Sequence, residues 1–521
     1  MFSNKLQNFK IIFVLIFLLS FGTFHAQNGI LDPTFGTNGI VNTTNNEDPE
    51  QFNTILEVNN NKFLAAGTAD YNATIIRFNQ DGSIDTSFGV DGILELDFGG
   101  TREDIEDMVK QPDGKILITA ETKNSNDDYD FIVARLNEDG SYDTSFGTNG
   151  ISVITFGSST DERPNKIIVT PDDKIIIVGN AEGGIIWKTA IARLNSDGSL
   201  DTTFSDDGLL TLSITNRSDY LIGVDVTFDG KIIAAGGAVF NSGSNQGRYA
   251  IVRYLNNGDL DPTFGTNGVV TLNIFDGSCI ARSIISLPDG KSLVAGHASG
   301  SNVQMSFAVI RLDIDGNIDT TFGDNGVVST PFSTNQSQIY KMKLDDNNNI
   351  YVVGDASNNT NNEATNFAAA KYSFNGDLDT TFGTNGTVST DFFGTHDSAR
   401  DFIITQNKIT LAGYTMETYP DENFALARYD LENNLSISNV SLSTFEVFPT
   451  LVNNSVSIKS KISSNSAQIS IMNIQGKLVF QQTTIINSIP KSIDLKSLTK
   501  GLYFLKIQIE NQLETYKIIK Q

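Results

Sequence analysis

A chain of 521 residues has room for several domains, and its formal net charge of −25 argues against nucleic acid and anionic membranes as partners. The one cysteine, Cys279, excludes an internal disulfide framework, so stability must come from packing and sheet hydrogen bonds. Past the N-terminal segment no stretch approaches the length of a transmembrane helix, so none is expected in the mature chain.

Residues 1–26 read as a secretory signal peptide. Lys5 and Lys10 give a positive start, Ile11 to Leu19 form an apolar run too short to span a bilayer, and a polar stretch ends at Ala26. Phe24 departs from the usual small-residue cleavage pattern, and an N-terminal membrane anchor is the competing reading.

From Leu31 one phrase, "LDPTFGTNG" in its first copy, returns seven times, with its Asp at Asp32, Asp85, Asp143, Asp201, Asp261, Asp319 and Asp379. The spacings are 53, 58, 58, 60, 58 and 60 residues, and self-similarity at such a period marks a propeller or a solenoid. A second phrase lies about halfway along each unit ("PDGKILITA", "FDGKIIAAG"), and a third precedes the next Asp ("FIVARLNEDG", "AIARLNSDG"). In the unit beginning at Asp85 the apolar runs are "GILEL", "DIEDMVKQ", "KILITA" and "DFIVARL", bounded by Asp-Gly corners that supply the positive φ of tight hairpins. Four short antiparallel strands, seven times over, predict an all-β fold: a seven-bladed β-propeller over residues 27–435. A parallel β-helix is the rival, but its coils are usually shorter and lack hairpin corners. The last blade must be completed, or the ring closed, by joining the two ends of this segment.

In the repeated phrase, Asp followed by free backbone N–H groups, with Pro33 and Pro262 at the next position in two copies, predicts one capped helical turn closed by a glycine. Ser205 stands in for that glycine in the fourth copy. The phenylalanines Phe35, Phe88, Phe146, Phe204, Phe264, Phe322 and Phe382 are then inter-blade plugs, each worth roughly 1.5–3 kcal/mol when buried. Arg77, Arg135, Arg193, Arg253, Arg311 and Lys371 each lie eight residues before the Asp of the next copy, and Arg428 is the seventh of the series. The spacing points to a structural ion pair with the turn carboxylate; a ligand-binding ring of seven cations is the alternative. These phrases resemble the delta-60 repeat family, exported bacterial propeller-like repeats. The resemblance covers about 400 residues and implies a scaffold without bringing a catalytic set.

Between the second and third phrases the units vary most, in segments such as "ETKNSNDDYD" and "YTMETYPDEN". Repetition places them on one rim, carrying Trp187, Tyr249, Tyr414 and Tyr419 as candidate contacts for carbohydrate or protein. Solvated loops without a ligand are the plain alternative. Cys279 reads as a small buried apolar residue rather than a reactive thiol. His297 and His396 are far apart and in non-equivalent positions, and no Gly-x-Ser-x-Gly elbow, metal spacing or phosphate loop is present. The run "DIDGNID" (Asp313, Asp315, Asp319) resembles the first half of a calcium loop but lacks the downstream Glu, and other units use the same place as a plain turn. No catalytic, cofactor-binding or metal-ligating residue is assigned, and no cofactor is expected beyond that calcium alternative.

Near residue 436 the charge reverses: residues 27–435 hold 57 acidic and 25 basic side chains, whereas 436–521 hold four and nine. Alternating runs with Gly turns predict a small β-sandwich over 436–521. Phe448-Pro449, Ile474-Gln475-Gly476-Lys477, Gly501-Leu502-Tyr503 and the closing Lys517-Ile518-Ile519-Lys520 resemble the type A C-terminal sorting domain of the type IX secretion system, with Thr450 where that family usually has Asn. The resemblance implies the secretion machinery as a partner of 436–521, Sec export, passage through the outer membrane, and a secreted or cell-surface location. An ordinary accessory β-domain is the alternative. The expected function is a non-enzymatic surface binding or adhesion scaffold. The alternative is an exported polysaccharide hydrolase or lyase, which a non-repeated carboxylate pair, or a His with a carboxylate, converging on one pocket would favour.

Overall fold

The computed structural model describes residues 29–43, 49–157, 161–182, 184, 186–240, 247–300, 303–332, 336–357, 364–418, 421–431, 445–449, 451–460, 465–473, 477–509 and 512–521. The expected signal peptide and Tyr419 lie outside them. Contacts divide the chain between Asn433 and Asn434 into two compact units.

The first unit is all β, as the repeats predict. Its described residues form seven antiparallel sheets, numbered here in chain order. The second sheet shows the plan: Glu103–Lys110, Ile116–Lys123, Tyr129–Leu136 and Ile151–Ile154 pair in succession. The first strands of the seven sheets touch their counterparts in turn, and Asp397–Thr405 of the seventh sheet touches Glu50–Val58 of the first. The ring therefore closes, and the first strands form its inner wall.

The sequence repeat and the structural sheet are out of phase by one strand. The repeated wording makes "GILEL" the first run of the Asp85 unit, but Ile93–Leu96 pairs with Asn72–Phe78 and ends the preceding sheet. The same offset closes the ring. The seventh sheet takes Asp397–Thr405, Lys408–Met416 and Glu422–Asp430 from one end of the repeat array. It takes Ile40–Thr43 and Ile30–Leu31 from the other, both paired with Glu422–Asp430.

The repeated phrase turns out to be a hydrogen-bonded turn rather than a helical one. Asp32 Oδ1 accepts from the Thr34 N–H at 3.0 Å, and the Asp32 carbonyl accepts from the Phe35 N–H at 3.1 Å. The positive φ expected after the phenylalanine is present, 50° at Gly36, and Ser205 adopts it too, at 51°. A polar residue thus accepts there what glycine takes freely. All seven phenylalanines are at most 2% exposed. Six pack on the Asp-Gly or Asn-Gly corner of the next sheet: a Cβ on Gly82, Gly140, Gly198, Gly258, Gly316 or Gly376 would lie 2.8–3.2 Å from the ring. Those corners need glycine for space as well as for φ. The seventh, Phe382, meets Gly29 instead, so the N-terminal strand takes the place of a corner at the seam.

The repeated cations are structural. Arg77, Arg135, Arg193, Arg253, Arg311 and Lys371 each pair with the turn carboxylate eight residues on, at 2.5–2.8 Å. Arg428 pairs with Asp32, 396 residues away, at 2.7 Å. Every arginine of the series also lies over the phenylalanine of its phrase, 4.3–4.9 Å from the ring centroid. Cation, carboxylate and ring form one repeated joint, and the ring of ligand-binding cations is ruled out by this pairing. Burial opposes ionisation of Asp32, but hydrogen bonds from Lys408 and Thr34 and the Arg428 charge hold it well below the usual carboxylate range.

The second unit has two sheets. Phe445–Phe448, Ser455–Ser460 and Lys491–Asp494 form one; Leu451–Val452, Gln512–Lys520, Gly501–Ile509, Asn465–Asn473 and Leu478–Ile486 form the other. Val456, Ile458, Ile469, Ile471, Leu505 and Ile507 fill the core between them. Alternation of half-buried and buried residues along Ser455–Ser460 is the period of a strand with one face on the core.

Candidate functional site

Each first strand carries a β-bulge at the same place in the repeat, between Phe52 and Thr54, Ile105 and Asp107, Pro164 and Lys166, Leu221 and Gly223, Ala281 and Ser283, Ile339 and Lys341, and Ala399 and Asp401. A bulge leaves one residue out of the ladder and re-aims its side chain. The seven residues so released are Asn53, Glu106, Asn165, Ile222, Arg282, Tyr340 and Arg400. All seven line one cavity of about 150 Å³ on the ring axis. The second phrase supports this geometry. In six sheets its glycine stands opposite the bulge, where a Cβ would lie 1.8–2.1 Å from a first-strand carbonyl oxygen. Ala120 takes that place in the second sheet.

The residue after this glycine faces the same end of the channel: Thr68, Glu121, Asn180, Gly237, His297, Asp355 and Tyr414. This is the end bearing the variable loops, because the second strands run out into them. The other end is closed by charge. Asp107 of the second sheet binds Lys166 of the third at 2.7 Å and Lys341 of the sixth at 3.3 Å. Lys341 also lies 3.9 Å from Asp401, which binds Lys343 at 2.8 Å. A side chain joining the sixth sheet to the second crosses the axis, so the cavity is a blind pocket with an ionic floor.

The walls differ in charge. On the second and third sheets, Glu106 and Glu121 lie near Asp104 and Arg163, with Arg163 Nη1 3.7 Å from Glu121 Oε2. Burial, and then the charge of Glu121, pushes Glu106 well above the ordinary carboxyl range. Burial likewise raises Glu121 to about 7, with Arg163 opposing and Asp104 adding to the rise. On the fifth, sixth and seventh sheets, Arg282, Tyr340 and Arg400 stand side by side. The Tyr340 ring centroid is 5.1 Å from the Arg282 guanidinium and 4.1 Å from that of Arg400. Tyr414 lies 5.3 Å from Arg400 on its other side. Asp355, 7% exposed, accepts from Ser398 Oγ at 3.0 Å and senses both arginine charges. Burial, with the Arg282 charge beside it, lowers His297 to about 3, so its imidazole is neutral. Asn53 and Asn165 instead clamp the ring, donating to the carbonyls of Ile105 at 3.0 Å and Leu221 at 2.7 Å in the next sheet.

The sequence had pointed to the rim loops, and the structure redistributes those residues. Tyr249 is a core residue, fully buried, its hydroxyl donating to the Ala308 carbonyl at 3.3 Å. Trp187 is half-buried beside Arg163, and Tyr414 belongs to the channel mouth. His297 lies in the mouth, while His396 bridges to Thr365 in a connection. Asp313 Oδ1 caps its own turn and Asp319 binds Lys291 and Arg311, so both act within the turn and the joint. Among the described residues no group of three or more His, Cys, Asp or Glu is placed to hold a metal ion. Cys279 is buried among apolar residues, as expected, at a position where most copies carry a buried acid such as Glu103 or Asp219.

Residues 446–521 match the secretion system C-terminal sorting domain family. The tail is a sorting domain. This sorting domain marks the chain for type IX export to the cell surface or extracellular space and implies an interaction with the secretion machinery. Residues 59–88, 111–146, 170–204, 229–264 and 287–322 match a domain of unknown function (DUF5122) described as a β-propeller. The chain is thus a repeat propeller with a sorting domain behind it. No helix among the described residues is long and apolar enough to cross a membrane. A search of curated proteins finds no match to the chain. Among solved structures, a Dyadobacter fermentans protein of unknown function is similar at 11% identity and TM-score 0.39, over 76% of this chain and 98% of that one. A PL25 polysaccharide lyase, ulvan lyase, is similar at 12% and 0.41, over 78% and 95%. A Trypanosoma rangeli sialidase is similar at 10% and 0.38, over 84% and 85%.

Proposed function

We propose that the protein is a cell-surface or secreted binding scaffold without catalytic activity, and that the blind pocket at the channel mouth is its binding site. One observation carries this reading. The seven copies repeat their joints, plugs and corners almost unchanged, yet at the bulge they place Asn, Glu, Asn, Ile, Arg, Tyr and Arg. A mechanical requirement common to all copies would give a common residue there, as it does at the arginine–aspartate joint. Divergence confined to positions facing one pocket is what a ligand demands of a repeat scaffold.

A second reading, an enzyme acting on polysaccharide, draws support from Glu106 on the pocket wall and from Glu121, whose charge acts on it, two non-repeated carboxyls with raised proton affinity. A glycan array run beside a turnover assay, both on the full chain, separates the two. Binding without cleavage supports the scaffold. Cleavage abolished by Glu121→Gln, with binding retained, overturns it in favour of the enzyme.

A further inference from the structure

We infer that the pocket receives the terminal residue of an acidic sugar chain, with a carboxylate or sulfate of that residue held between Arg282 and Arg400. The inference rests on the binding reading above and names the ligand class. Three consecutive sheets present Arg282, Tyr340 and Arg400 at the same bulge position, so two like charges share one aromatic ring. Neither guanidinium has a carboxylate within ion-pair distance among the described residues. The Nε of each is shut off from solvent and has no hydrogen-bond partner. A guanidinium offers five donors in a planar fork, and buried donors left unmatched are costly. The propeller carries more than twice as many acids as bases, yet only Asp355 faces both arginines. One compact oxyanion in the cavity that both side chains line would offset the two charges, in the bidentate manner arginine favours.

The remaining walls limit what carries that oxyanion. The floor is closed by the Lys341 strut, so a chain cannot thread the ring and only an end can enter. A cavity of about 150 Å³ is the size of one sugar ring rather than of several. Glu106 and Glu121, both raised toward the neutral form by burial, can donate hydrogen bonds to and accept them from the hydroxyls of a sugar ring. The match is one anion on a hydroxyl-rich ring.

The test is equilibrium titration of the full chain with three oligosaccharides of one backbone, ending in glucuronate, in sulfated glucose or in unmodified glucose. A fourth carries glucuronate only in its interior. The expected result is at least tenfold tighter binding of an acidic end than of the neutral end, with no gain from interior glucuronate. The carboxylate and sulfate arms show which anion is preferred. Arg282→Met and Arg400→Met should each remove most of the acidic preference, and Arg282→Lys should keep part of it. Thermal unfolding of each variant checks the fold, and the lysine variant serves if a methionine variant fails to fold. Equal affinity for acidic and neutral ends, or a folded Arg282→Met variant with unchanged preference, overturns the inference while leaving a binding protein. Binding to no glycan, on these or on the array, overturns both readings.

Discussion

Replacing Arg428 with methionine tests how the ring is closed. Arg428 is 5% exposed, binds Asp32 through Nε at 2.8 Å and Nη2 at 2.7 Å, donates to the Gln80 carbonyl, and covers the Phe35 ring at 4.3 Å. Its loss leaves Asp32, 1% exposed, with Lys408 at 2.9 Å as its remaining cation. Breaking a buried pair by removing one partner costs about 3–5 kcal/mol. Arg193→Met is the internal control. Arg193 makes the same joint, with Asp201 at 2.8 Å, Phe204 at 4.7 Å and Lys174 as the second cation at 3.1 Å. Denaturant titration should give both variants a loss of about 3–5 kcal/mol. They should differ in where the molecule opens. Arg193 and Asp201 are eight residues apart, whereas Arg428 and Asp32 are 396 apart and hold a seam of six residue pairs. Hydrogen exchange of residues 29–43 should therefore accelerate at least about tenfold in Arg428→Met under native conditions and stay near wild type in Arg193→Met. Equal protection of 29–43 in the two variants would refute the seam as the weak point of the ring.

Gly198→Ala and Gly230→Ala share a positive φ, 86° and 80°, but a Cβ at 198 would lie 2.9 Å from the Phe146 ring whereas one at 230 meets nothing. Thermal unfolding should show Gly198→Ala to be worse by about 1–3 kcal/mol, the cost of overpacking the plug. Glu121→Gln should stabilise the protein increasingly as pH rises from about 4.5 to about 7 and by a constant amount above, because the folded state raises that carboxyl to about 7 and so disfavours its ionised form. The plateau is on the order of 3 kcal/mol, and a gain that shrank with rising pH would contradict the assignment. Lys341→Met should cost about 3–5 kcal/mol in denaturant titration at neutral pH, by leaving Asp107 and Asp401 facing each other with fewer cations.

The fold was legible because each joint is written seven times. Asp, Phe, Gly and the cation eight residues earlier are demanded by one turn, and all four reappear in nearly every copy. The blade boundary was not legible, since the repeated wording straddles two sheets and only the pairing of Ile93–Leu96 or Ile40–Thr43 reveals the offset. The pocket was hidden for the opposite reason to the joint. The cations that repeat, Arg77 to Arg428, are mechanical, while Arg282 and Arg400 repeat nothing. Their aim depends on a bulge that breaks strand alternation, so a period-two reading assigns them no common face. The usable signal is the bulge position, the fourth residue of the first strand in six of the seven sheets, where aligned copies stop agreeing. Tyr249 belongs to a segment that varies between copies as a loop does, but Gly247–Tyr254 is a strand and its ring lies in the core.

The central claim, that ligand recognition lies on the ring axis at the non-repeated bulges, is tested most directly by an exchange footprint. Full-length protein is saturated with an array-identified glycan, and amide hydrogen exchange is compared with the free form. The account predicts protection concentrated in first-strand peptides spanning Asn53, Glu106, Arg282, Tyr340 and Arg400, from several sheets at once. Protection confined to the variable loops or to the outer strands, with those peptides unchanged, would contradict it.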